Sequence, residues 1–252
     1  MKKLITAEGI VKVYDQGGEP QTVLSGVSLE IGEGEFAAVM GPSGSGKSTL
    51  LYVLSGMDPA DGGTIAFDGR ALDGLSEDAL ADLRRSKIGF VFQQPTLLKN
   101  LNILDNILLP SLRDHKKDSQ RLKKRARELM DGMGIGELSD REITKVSGGQ
   151  LQRAGICRAL MSQPRIIMAD EPTGALNSKT AHEIMDIFAE INREGTALLL
   201  VTHDPKVAAR AGRVLFMSDG QIVSELRFQN KDEMAQDKNL LEVMEKMKEL
   251  GI

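Results

Sequence analysis

Five consecutive apolar residues, Phe36-Ala37-Ala38-Val39-Met40, run directly into Gly41-Pro42-Ser43-Gly44-Ser45-Gly46-Lys47-Ser48-Thr49. That junction constrains the fold more than any other stretch of the chain. An unbroken apolar run of this length is expected of a strand buried on both faces in a parallel sheet. The segment after it matches G-x-x-x-x-G-K-[ST], a loop that cradles phosphates. Its glycines let backbone N–H groups turn inward where a Cβ would block the path. Lys47 supplies a point charge to the outer phosphates, and the Ser48 hydroxyl suits Mg²⁺. The helical pattern of Ser48–Gly56 points its N-terminus at the same place. A strand, this loop and a helix in that order imply a phosphate-loop α/β core.

The flanking sequence predicts the rest of the architecture. Leu4, Ala7, Ile10 and Val13 sit among polar residues, a turn falls at Gln16–Pro20, and Val23, Val27, Leu29 and Ile31 follow. These are short, half-buried strands. Thr64–Phe67 and Ile88–Phe92 are further strand candidates. From Leu101 to about Gln163 helix formers and charges dominate. Arg121–Met133 places Leu122, Ala126, Leu129, Met130 and Met133 on one face. Its basic residues Arg121, Lys123, Lys124 and Arg127 read as a solvated helix face rather than a nucleic-acid patch. After Pro164 buried-strand patterns return at Ile166–Ala169, Ala197–Val201 and Val214–Met217. A helix capped by Asn177 or Ser178 separates the first two, with Ala181, Ile184, Met185, Phe188 and Ile191 as its stripe. Alternation of strand and helix implies a parallel sheet covered by helices, split in sequence by the helical middle. The tail after Phe228 is charged, then helical, and its stripe Leu240, Leu241, Met244, Met247 is expected to pack on the body.

Composition narrows the setting. Of 252 residues, 32 are basic and 36 acidic, so the net charge of −4 offers no global field for nucleic acid. A single cysteine fits a reducing compartment. Apolar runs of about five residues fall far short of the ~20 needed for a span, and Met1-Lys2-Lys3-Leu4 opens no secretory signal. The chain reads as cytoplasmic, so any membrane role must come through a partner.

Two more segments carry chemistry. Ile166-Ile167-Met168-Ala169 delivers Asp170 and Glu171 to the carboxyl end of a strand, where ligands bind in open α/β sheets. Asp170 is placed to hold Mg²⁺, and Glu171 to polarise the water that attacks the outer phosphate. Ser147-Gly148-Gly149-Gln150 precedes the helix-like stretch Leu151–Leu160 and makes a second anion site at a helix N-terminus. One nucleotide does not need two such sites from one chain. Two chains packed head to tail do.

With these residues in hand, the sequence from about residue 3 to 225 resembles the ATP-binding cassette (ABC) ATPases. The resemblance implies a phosphate-loop core with an antiparallel β subdomain and an inserted helical subdomain at about 95–163. The ATP-binding domain would be 1–228, and a C-terminal helical extension 229–252. It implies ATP and Mg²⁺ as ligands, a second copy as partner, and an integral membrane permease at the inner face of the cell membrane. Tyr14 resembles the aromatic that stacks on adenine. Gln93 resembles the glutamine that senses Mg²⁺ or the attacking water and hinges the helical subdomain, with Gln94 the weaker candidate. His203, in Val201-Thr202-His203-Asp204, resembles the histidine that contacts the γ-phosphate. His115 and His182 read as surface residues.

One position departs from the family pattern. The loop after the acidic pair usually reads Ala-Leu-Asp; here Ala175-Leu176-Asn177 keeps the hydrogen-bonding shape and loses the charge. Ala169–Gly174 followed by Ala-Leu-Asn-Ser, with the helical extension, resembles antimicrobial-peptide resistance transporters of the bacitracin-export type. These pair with an FtsX-like permease. Macrolide-export, lipoprotein-release and cell-division cassettes share the first six of those residues and stay open as alternatives, as does a soluble iron–sulfur assembly ATPase. A chromosome or repair ATPase would need a long coiled-coil insertion, and a ribosome-associated factor two cassettes.

Overall fold

The computed structural model describes residues 2–112, 118–228 and 233–252. His115 lies outside them, as does the start of the charged tail. The N-terminal segments pair as one long hairpin. Strand β1 (Lys3–Gln16) runs antiparallel to β2 (Glu19–Gly32), from Lys3 opposite Gly32 to Gln16 opposite Glu19. The turn is tighter than the sequence suggests. Gly17 and Gly18 alone make it, at φ of 71° and 99°, values that glycine adopts without strain. Pro20 therefore sits inside β2, which tolerates it because β2 is the edge of its sheet.

Strand β3 (Phe36–Met40) is buried along its whole length and leads through the glycine-rich loop into helix α1 (Lys47–Leu54). Strands β4 (Gly62–Phe67) and β5 (Arg70–Ala71) complete the antiparallel sheet, in the order β2-β1-β4-β5. Helix α2 (Glu77–Lys87) follows, then β6 (Ile88–Val91), and then three helices: α3 (Ile103–Leu108), α4 (Ser119–Gly132) and α5 (Gly148–Leu160). The chain returns to the core through β7 (Ile166–Asp170), α6 (Ser178–Arg193), β8 (Ala197–Thr202), α7 (Pro205–Ala208) and β9 (Arg213–Ser218). It ends with β10 (Gln221–Arg227) and α8 (Glu233–Leu250). The second sheet has the order β10-β9-β3-β8-β7-β6, parallel from β9 to β6, with β10 antiparallel at one edge.

The alternation of side chains in the central strands divides the interior into two cores. Ala37 and Val39 of β3, with Leu199 and Val201 of β8, face α1 and the antiparallel sheet. Ala38 and Met40, with Leu198 and Leu200, face α5, α6 and α7. Arg213 ties the two halves at one edge. Its guanidinium is buried and donates to Glu35, Glu225 and the Glu30 carbonyl.

Helix α2 and strand β10 escape sequence reading because their apolar edges are thin and only partly buried, Leu80 and Leu83 in α2 and Ile222 and Leu226 in β10. Helix α2 has no buried residue; Ser76 caps it, with Glu77 and Asp78 in the first turn and Arg84, Arg85 and Lys87 in the last. Those caps and charges were the available signal. Strand β10 is exposed or half-exposed throughout. The tail stripe needs correction. Val243 is fully buried and Leu240, Met247 and Leu250 pack beside it, but Leu241 and Met244 are 61% and 51% exposed. The buried face is rotated from the expected one, because it follows Asn239 and Val243.

Cys157 of α5 is fully buried, and burial pushes its thiol up to about 12. The thiolate is the reactive form, so the native protein should resist alkylation by iodoacetamide at mildly alkaline pH. Denaturant should expose one reactive thiol per chain, and mass spectrometry of the labelled protein checks both states.

Candidate nucleotide site

Four neighbouring parallel strands end side by side, and each delivers one part of the site. β3 ends at the loop Gly41–Thr49, β8 at His203, β7 at Asp170 and Glu171, and β6 runs toward Gln93. Adjacent register fixes the spacing, with Met40 opposite Thr202 and Asp170 opposite Val201. Ligands bind beyond the carboxyl ends of such strands.

The loop is shaped by backbone rather than side chains. Gly46 caps α1 at φ 96°, and a Cβ there would meet the Val23 carbonyl at 2.8 Å. No side chain caps α1, so the first-turn N–H groups of Lys47, Ser48 and Thr49 point at the ligand space. Lys47 is buried, and its Nζ donates to the carbonyls of Gly41 (2.9 Å) and Pro42 (2.8 Å). Burial holds its pKa below the ordinary value, while the charges of Glu171 and Asp170 work the other way.

The Ser48 hydroxyl donates to Asp170 Oδ1 at 2.8 Å, so the loop and the β7 carboxylate already meet. His203 Nδ1 lies 2.9 Å from Glu171 Oε1. Glu171 is half-buried at φ 45°, a left-handed conformation rare for a non-glycine residue, and its N–H donates to Val201 O. Strain of this kind gathers at functional sites. Here it turns Glu171 away from the line of β7, whereas Asp170 stays in the strand.

Tyr14 lies on β1 with its hydroxyl donating to Asp58. The ammonium of Lys12 sits 5.1 Å from its ring centroid, a cation–π contact. Gln93 is exposed and lies across Gly174, where a Cβ would come 2.8 Å from its Nε2. It makes no side-chain hydrogen bond among the described residues, so it is not brought onto Ser48 or Asp170. His182 is exposed beside Asp186, as a surface residue would be.

Ser147–Gln150 stands apart. Ser147 caps α5 by accepting from the Gln150 N–H, and the Gln150 side chain accepts from the Ser147 N–H at 2.9 Å. Gln150 is thus a capping-box partner. Among the described residues this segment shares no hydrogen bond with the loop Gly41–Thr49 of its own chain. Asn177 caps α6, accepting from the Thr180 N–H at 3.0 Å.

Two residues of the site went unread in the sequence. The Tyr52 hydroxyl donates to Asp170 Oδ2 at 2.7 Å. Gln152, fully buried in α5, donates to the carbonyls of Phe92 and Pro172, which flank Gln93 and Glu171. The helical middle is therefore wired to both loops. No periodicity reveals either contact, since each depends on tertiary placement.

A phosphate loop, a hydroxyl–carboxylate pair beside it and a strained glutamate bonded to histidine define a P-loop nucleoside triphosphatase. The ABC transporter family model matches residues 24–174, and the chain belongs to that family as an ATP-binding cassette ATPase. It is 42% identical over 228 residues to the lipoprotein-releasing system ATP-binding protein LolD 1 of Caulobacter vibrioides, covering 90% of this chain and 97% of that protein. It is 44% identical over 225 residues to the macrolide export ATP-binding/permease protein MacB 1/2 of Paracoccus denitrificans, covering 89% of this chain. The chain spans 33% and 34% of the lengths of two such macrolide-export relatives. In structure it is similar to the dimeric cassette MJ0796 in a post-hydrolysis state with ADP and Pi. The TM-score is 0.83 at 37% identity, over 90% of this chain and 99% of that one. The expected α/β core with an antiparallel sheet and a helical insertion agrees with these neighbours.

Proposed function

We propose that this chain is the ATP-hydrolysing subunit of a membrane ABC transporter and works as a head-to-tail pair. The observation that carries the reading is the separation of the two anion-binding ends. The loop Gly41–Thr49 gathers Ser48, Asp170, Glu171 and His203 around it, while the capped Ser147 end of α5 is exposed and bonded only within its own helix. A second copy can bring its Ser147 and Gly149 onto the phosphates held by the first. The dimeric state of the MJ0796 cassette supports this arrangement.

In the assembled site Tyr14 stacks on adenine with its free face, and the loop N–H groups and Lys47 hold the phosphates. Ser48 and Asp170 are hard oxygen donors 2.8 Å apart, and they fit Mg²⁺. Bound there, with Gln93 swung in, the ion would neutralise charge on the phosphate oxygens. Glu171 accepts a proton from the attacking water, and His203 holds that carboxylate in place. Closure excludes water and completes the charge-stabilising set. Loss of the γ-phosphate then releases the two halves. Gln152 links α5 to the Gln93 and Glu171 loops, so the helical subdomain moves with the site.

We assign residues 1–228 to the ATP-binding domain, with 95–163 as its helical insertion, and 229–252 to a C-terminal extension. Among the described residues no helix is long and apolar enough to cross a membrane. We place the translocation path in a permease of FtsX-like type, with this subunit on its inner face. Ala175-Leu176-Asn177 and helix α8 favour antimicrobial-peptide resistance of the bacitracin-export type. Affinity purification of the tagged chain from detergent-solubilised membranes should recover an integral permease, and recovery of a soluble iron–sulfur scaffold instead would overturn the reading. Cells expressing a Glu171→Gln chain should gain sensitivity to bacitracin-like peptides; sensitivity to macrolides alone would move the assignment to macrolide export.

A further inference from the structure

The chain has two tyrosines, Tyr14 and Tyr52, and both lie at the nucleotide site. Ser48 and Tyr52 are four residues apart on α1 and so share one face of the helix. From that face they grip one carboxylate. Ser48 donates to Asp170 Oδ1 at 2.8 Å, and Tyr52 donates to Oδ2 at 2.7 Å. The terminal torsion of an aspartate is otherwise broad, so a single donor would leave the carboxylate plane free to turn about that contact. Two donors on one rigid helix fix it.

We propose that Tyr52 is a positioning residue for the divalent cation. Its hydroxyl ties down the far oxygen of Asp170, so that Oδ1 stays beside Ser48 and faces the metal. The proposal rests on the reading of Ser48 and Asp170 as the cation's place. The main chain of Tyr52 is anchored as well. Its carbonyl accepts from the Ser55 hydroxyl (2.8 Å), the Met57 N–H (2.9 Å) and the Asp58 N–H (3.3 Å). Asp58 in turn holds the hydroxyl of Tyr14. One turn of chain thus joins the phosphate end of the site to the adenine end.

Outer-shell partners of metal ligands typically govern metal affinity by about 10- to 100-fold. The test is calorimetric binding of β,γ-imido-ATP to wild type and Tyr52→Phe, each with excess Mg²⁺ and with EDTA. Wild type should bind more tightly with Mg²⁺ than with EDTA. In Tyr52→Phe the Mg²⁺-dependent affinity should fall about 10-fold, while the EDTA affinity stays within about twofold, the scatter expected of uncoupled sites. In an Asp170→Asn background the two Tyr52 forms should differ by no more than that. Equal weakening with and without Mg²⁺ would make the hydroxyl a general packing group and overturn the proposal, as would an unchanged Mg²⁺ affinity. A wild type that binds equally with Mg²⁺ and EDTA would instead sink the reading of Ser48 and Asp170 themselves.

Discussion

Replacing Glu171 with glutamine should lower ATP turnover roughly 10²- to 10⁴-fold, the scale of a lost general base, and leave ATP binding intact. The geometry argues for a large effect on turnover and a small one on binding. Glutamine keeps the size and the hydrogen-bonding shape of the side chain, so the contact with His203, 2.9 Å in the wild type, can survive. The backbone N–H that anchors the turn to Val201 O is untouched, and so is the strained φ of 45°. What disappears is the acceptor for a water proton. Removal of the negative charge beside Lys47 also takes away one of the two carboxylates that support its ammonium, and that effect is shared with Asp170, which stays. The variant should therefore accumulate as an ATP-bound dimer, seen by light scattering at saturating Mg-ATP. Near-normal steady-state turnover would remove Glu171 from the role, and a monomer under those conditions would count against the shared site.

The parts of this arrangement legible in the sequence are those written in short-range pattern. Phe36–Met40 and Ile166–Ala169 announced buried strands by composition, and the phosphate loop by spacing. The cap of α6 was legible as Asn177 or Ser178, because capping is chemistry between neighbours, and the structure uses Asn177; Ser147 was read as an anion site, and its capping of α5 was not. Nor was Tyr52. Its role depends on β7 lying beside β3's helix, a contact across 118 positions that no window contains. Gln152 was hidden for the same reason. The tail stripe failed differently. Leu241 and Met244 are as apolar as Val243, and periodicity cannot say which of two overlapping faces the rest of the protein covers. The Asn177 departure, read as a loss of charge, has a local explanation as well. Asparagine and aspartate cap helices about equally well, so α6 starts normally with either.

Two variants that each turn over little ATP, at a concentration that just saturates the wild-type site, should restore activity when mixed. Lys47→Ala removes the ammonium that the phosphate loop holds ready, so that chain should bind nucleotide weakly in its own site. Hydrogen bonds to a charged group contribute about 1.5–3 kcal/mol each, enough to weaken ATP roughly 10- to 100-fold. Ser147→Asp acts at the other end of the molecule. Aspartate is as good a cap as serine, so α5 keeps its start, but a carboxylate now meets the partner's outer phosphate where a hydroxyl and backbone N–H groups should be. Each variant alone forms pairs in which both sites are damaged. In a mixed pair the damage segregates. One site receives the bad loop and the bad helix end, and the other receives two sound halves. Random pairing makes half of the dimers mixed, with one intact site in each, so an equal mixture should reach about a quarter of wild-type turnover. If each chain closed its own nucleotide, mixing would restore nothing, because no chain in the mixture carries both a sound loop and a sound helix end. A phosphate-release assay on the separate and mixed proteins distinguishes the two arrangements.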